Sequence, residues 1–169
     1  MAALLVSDTS VLIDLDRGGV LEALFQLPFD LGVPDVLFDR ELDGWAGPDL
    51  RALGLQVIGL DSSGVTLAQR YAKREPRLST PDTFALALAS VGGHILLAGD
   101  GNLRTLAQSE RVECHGVLWV LDQLEEHGVL RARQLVAALE TIASHPRCRL
   151  PRPEVQQRLS RYRATEPAS

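Results

Sequence analysis

The stretch Ala3-Leu4-Leu5-Val6-Ser7-Asp8-Thr9-Ser10-Val11-Leu12-Ile13-Asp14 decides the fold. A short apolar run closes at an aspartate, and its length suits a buried strand. Thr9-Ser10 then reads as a cap-like start to a short helix bearing Val11, Leu12, Ile13 and Leu15. The same passage from strand to helix recurs down the chain. Gly18-Gly19 interrupts the first helix, and residues 20–27 resume a helical pattern. Leu31-Gly32-Val33 reads as a very short strand, with Pro34 at the first position of a helix that carries Glu41. Residues 55–60 form a strand, and Ser62 or Ser63 caps a helix running to about Lys73. Ser79-Thr80-Pro81-Asp82 supplies a cap, a proline in the first turn and an acid beside it. Residues 84–91 follow, apolar on nearly every side except Ser90, which marks a buried helix. Residues 94–98 are a strand before the turn Gly99-Asp100-Gly101-Asn102, and residues 112–115 a last strand. Amphipathic helices over 117–126 and 131–144, a loop over 146–153 and a short basic helix over 154–162 complete the pattern.

Alternation of this kind implies an α/β fold: a three-layer α/β/α sandwich around a central, mostly parallel sheet. Ligands of such sheets sit at the carboxyl ends of the strands, near a switch in strand order. The 169 residues suit one core, and 46% hydrophobic content is enough to build it. Net charge is −5, but it is unevenly placed. Residues 1–130 carry 9 basic and 19 acidic side chains, a balance of −10; residues 131–169 carry 8 and 3, a balance of +5. An acidic body therefore bears a basic tail, and we divide the chain there into a core domain, 1–130, and a helical, Arg-rich C-terminal extension, 131–169, packed on the core or trailing from it. The two cysteines make neither a disulfide framework nor a zinc pattern. With no signal peptide and no membrane-length apolar run, the expectation is a cytoplasmic protein without a membrane partner.

The polar residues at strand ends carry the chemistry. Asp8 follows the first strand, and Asp100 follows the strand over 94–98 after one glycine. Asp82 opens the buried helix before that strand, and Glu41 lies near the end of the helix after the second strand. Between residues 78 and 103 there is no Lys or Arg. Carboxylates clustered without cationic partners repel one another and persist best around a divalent cation. Hard oxygen ligands with room for water suit Mg²⁺ or Mn²⁺. Such a site acidifies water and neutralises charge on a phosphodiester.

Four segments in order resemble the PIN domain, a family of metal-dependent single-strand ribonucleases that includes the VapC-type toxins of toxin–antitoxin pairs. They are Asp8-Thr9-Ser10-Val11-Leu12-Ile13-Asp14, the run 33–42 ending Asp39-Arg40-Glu41-Leu42, the run 80–89 beginning Thr80-Pro81-Asp82, and Leu96-Leu97-Ala98-Gly99-Asp100-Gly101-Asn102-Leu103. The resemblance covers about residues 4–120. It implies that Asp8, Glu41, Asp82 and Asp100 hold the metal and that Ser10 steadies the site. Asn102 stands where many members have a further acid, so a second metal would be held less firmly. Ala98 departs from the Thr or Ser common there. Glu41 is chosen over its neighbours Asp39 and Asp43 by the resemblance and by helix phase.

The function expected is an endoribonuclease that hydrolyses single-stranded RNA, with an antitoxin protein and a homodimer as further partners. The alternative is an inactive PIN fold that binds RNA or protein. In the tail, Arg149, Arg152, Arg158 and Arg161 are candidates for RNA phosphates. Trp45 and Trp119 read as packing residues rather than base-stacking ones, Trp119 because it lies in an apolar helical run.

Overall fold

The computed structural model describes residues 2–165. Strand β1 (Ala3–Ser7) leads into α1 (Thr9–Arg17) and a single turn, α2 (Leu21–Leu24). Strand β2 (Phe29–Pro34) passes into α3 (Asp35–Leu37), which widens into a π-turn over Phe38–Leu42. There follow α4 (Leu50–Leu53), β3 (Gln56–Ile58), α5 (Ser62–Arg74), α6 (Thr80–Gly92), β4 (Ile95–Leu97), α7 (Gly101–Ser109) and β5 (Cys114–His115). Helices α8 (Val117–Glu126), α9 (Ala132–Ser144) and α10 (Arg152–Ala164) complete the described chain.

The five strands stand in the order β3-β2-β1-β4-β5, and every neighbouring pair is parallel. From β1 the chain steps outward to β2 and β3, then crosses back to the other side of β1 for β4 and β5. Strand order thus reverses between β1 and β4, where ligands of open α/β sheets bind. Strand β2 begins at Phe29, two residues before the apolar run that marks it in the sequence, because Phe29 and Asp30 pair with Ala3 and Leu4. Pro34 ends that strand instead of opening a helix. Its extended backbone (φ −65°, ψ 148°) keeps it in register with Ile58 of β3.

Helix α6 packs on β1, β2 and β4, with α3, α5 and α7 beside it. Residues 85–89 of α6 are all buried, three of them alanines that let the helix lie close to its neighbours. Helices α1, α2, α8 and α9 pack against one another as the second helical layer. Gly18 makes the approach of α9 to α1 possible, since a Cβ there would fall 2.8 Å from Ile142 Cδ1. Helix α10 lies along α9. Its buried residues Val155, Leu159 and Tyr162 form one stripe at helical spacing. Residues 166–169 of the expected extension lie outside the described residues. Among the described residues, no helix is long and apolar enough to cross a membrane.

Candidate active site

Asp8 is the first residue beyond β1 and caps α1, its Oδ1 accepting the Val11 N–H at 2.9 Å. Its own N–H donates to Leu97 O at 2.8 Å, which extends the β1–β4 ladder by one bond. Oδ2 accepts from the Ser10 hydroxyl and from the Gly99 N–H, each at 2.9 Å. The carboxylate therefore ties together both strand ends at the reversal point. Only 2% of Asp8 is exposed. Burial pushes its carboxyl up to about 6; the three hydrogen bonds oppose the rise and the Asp82 charge adds to it. A carboxylate offers about four acceptor positions. The protein takes three, leaving one for anything else that binds. A Cβ at Gly99 would sit 2.6 Å from Ser10 Oγ, so the glycine leaves room for the Ser10 hydroxyl and the Gly99 N–H to reach Asp8 together.

Asp82 stands in the first turn of α6, where Ser79 caps the helix by accepting the Asp82 N–H at 3.2 Å. Burial raises its carboxyl, the Ser79 hydroxyl and backbone lower it, and the Asp100 charge raises it again. Glu41 lies on the π-turn rather than on a regular helix. There the Asp43 N–H reaches back five residues to Phe38 O at 2.7 Å. Burial raises the Glu41 carboxyl, the nearby Thr9 hydroxyl lowers it, and the Asp82 charge raises it. Thr9 Oγ1 is itself buried and, among the described residues, has no partner in hydrogen-bonding geometry. Asp100 caps α7, its Oδ1 accepting the Leu103 N–H at 2.9 Å. Asp82 thus feels, or is felt by, each of the other three acids.

All four acids and Ser10 line one cleft of about 870 Å³ at the carboxyl edge of the sheet. The second wall comes from the C-terminal segment and includes Arg147, Arg149 and Arg158; Arg104, His115 and Trp119 also face in. Three sequence-based candidates are not among the lining residues. Asn102 is a half-buried residue in the first turn of α7. Arg152 is exposed on the first turn of α10. Arg161 is turned onto Asp122 and Glu125, where it fastens α10 to α8. Arg158 does both, lining the cleft while pairing with Asp122 at 3.1 Å. Trp119, expected in the core, is half-buried on the cleft wall because His115 and Phe29 flank its ring. Arg104 gave no sequence signal beyond a charge in a surface helix.

None of the four acids makes a salt bridge among the described residues. Mutually repelling, unpaired carboxylates are the donor chemistry of a hard divalent cation, and the site fits one in that respect. It is not a preassembled cage: among the described residues, no three His, Cys, Asp or Glu side chains converge closely enough to hold an ion. Asp8 and Asp100 each commit one carboxylate oxygen to the helix N-terminus they cap.

No protein with a curated description matches the chain. The family model DUF3368, a PIN domain, matches residues 4–164, running from β1 through α10. Because that match takes in far more than half of the 169 residues, the chain belongs to the PIN-domain family.

Proposed function

We propose that this chain is a divalent-metal-dependent endoribonuclease acting on single-stranded RNA in the cleft between the acids and the C-terminal arginines. PIN domains are in general nucleases. The observation that carries the finer reading is the placement of four unpaired carboxylates in one cleft, Asp82 coupled to the rest, with free arginines on the facing wall. Asp8, Glu41, Asp82 and Asp100 would hold Mg²⁺ or Mn²⁺, which acidifies water and neutralises charge on the phosphodiester. Ser10 and Gly99 fix the Asp8 carboxylate from behind. Arg147 and Arg149 make no salt bridge among the described residues and are free to take phosphates flanking the cut. A toxin role with an antitoxin partner rests on the resemblance to VapC-type members alone.

The test is cleavage of a single-stranded RNA by purified protein. Cleavage is expected with Mn²⁺ or Mg²⁺, is abolished by EDTA, and falls more than about 100-fold in Asp82→Asn, beyond the loss typical of an outer-shell partner. Arg149→Ala should weaken RNA binding regardless of sequence and reduce the salt slope by about 0.7. RNA binding that no divalent ion converts to cleavage, with no rise in Tm on adding Mn²⁺, would mean an inactive binding module instead.

A further inference from the structure

We infer that His115 and Trp119 form a stacking shelf for one nucleobase of the bound strand. The inference rests on the nuclease reading above and names a subsite for it. The His115 and Trp119 rings are parallel within 6°, with centroids 4.3 Å apart, and both line the acid cleft. Trp119 is backed by Phe29 at 5.9 Å, so its ring is fixed from behind. His115 is held at a second point, where its Nε2–H donates to Glu113 Oε2 at 2.9 Å. Trp119 covers one face of the imidazole. The His115 side chain stays 30% exposed, and the residue lines the cleft. A flat ring, locked in orientation and partly exposed at the cleft, is what an unstacked base meets favourably.

Its position suits that use. The Ala98 N–H donates to His115 O at 2.9 Å, and the next residue, Gly99, donates to Asp8. The shelf is therefore two strands over from Asp8, with β4 between them. Arg104 lies beside it, its guanidinium passing over Gly116. A strand whose phosphates run from the acids to Arg104 would lay a base against the imidazole. Every base has such a face, so the shelf positions the strand more than it reads sequence.

The test uses a dye-labelled hexaribonucleotide with one abasic position moved along it, bound to wild-type protein in Ca²⁺, which neutralises the acids, and followed by anisotropy. One abasic position should weaken binding about 5–150-fold, the range for a stacked base. His115→Ala should weaken binding of the intact strand by a similar factor and then be insensitive to that abasic position. His115→Phe should restore the wild-type pattern. Three results overturn the shelf: a flat abasic scan, an abasic penalty unchanged in His115→Ala, or no binding by the wild type. Cleavage of the intact strand with Mn²⁺ is read in parallel. Cleavage with a flat scan removes the shelf and leaves the nuclease. A His115-dependent penalty without cleavage keeps the shelf as a binding subsite and removes the nuclease.

Discussion

Asp8 and Arg149 face the same cleft, yet they are held there by different forces. Asp8 is fixed by three hydrogen bonds at the junction of two core strands, 2% exposed. Arg149 is an exposed residue on the loop between α9 and α10, with no ion pair among the described residues. Asp8 is thus part of the core and as rigid as the packing behind it, while Asp82 and Asp100 are half-buried and Glu41 is exposed at the cleft. The arginine wall is a surface loop positioned by the docking of α9 and α10. Charge buried in a core is expensive, so Asp8 is built in at a cost in stability that a bound cation would offset. Charge on a loop costs little and contributes little to the fold.

The largest effect expected from this contrast is a pH step in stability. The folded-state carboxyl of Asp8 is raised from 3.8 to about 6. Between those values the folded protein holds a proton that the unfolded chain has lost. The stabilisation is therefore complete below about pH 4 and disappears as pH rises through 6, by about 3 kcal/mol for a shift of about two units. Burial raises Glu41 and Asp82 in the same direction. Urea melts across pH 4–7 without divalent ions should show the decline, and Asp8→Asn should lose its share of it. A wild-type profile flat over that window would place Asp8 in water rather than in the core. Mn²⁺ should raise Tm more at pH 7 than at pH 5, because it binds the ionised acids.

A smaller effect tests the rigidity itself. Gly99→Ala puts a methyl 2.6 Å from Ser10 Oγ and displaces either that hydroxyl or the Gly99 N–H from Asp8. No ligand is removed, so cleavage should fall about 10–100-fold, the usual cost of disturbing an outer partner. Circular dichroism should stay native, because the clash is confined to a strand-end turn. Unchanged cleavage would mean that Asp8 needs no fixing from behind.

What the sequence discloses follows the same division. Asp8, Asp82 and Asp100 are legible because each sits at a junction with a local signature: a strand end, or a helix cap with Ser79 and Pro81 beside it. The α6 core helix is legible because residues 85–89 are apolar all round. The π-turn under Glu41 is not, since one extra residue in a turn leaves no periodic trace. Nor is the start of β2, where Asp30 interrupts the apolar run while its backbone still pairs. The arginine wall is least legible. Arg149 and Arg161 look alike in sequence, and only the fold sends one to the cleft and the other to Asp122 and Glu125.

The smallest effect separates apolar from ionic docking of that wall. Helix α10 is held by Val155, Leu159 and Tyr162, all buried, and by ion pairs at Arg158, Arg161 and Arg163. Arg163 pairs with Glu140, and both side chains are 52% exposed. Pairs that open to water contribute roughly 0–1 kcal/mol. Arg163→Ala should therefore shift the urea midpoint barely at all and leave cleavage intact. Arg161→Ala should cost more, because its partner Asp122 also accepts the Tyr162 O–H at 2.6 Å and shares Arg158. If Arg163→Ala instead destabilised the protein as much as Arg161→Ala, docking of α10 would be ionic throughout. The arginine wall would then loosen with salt along with RNA binding, and the two salt effects could be told apart only by measuring α10 directly, for instance by amide exchange at Leu159.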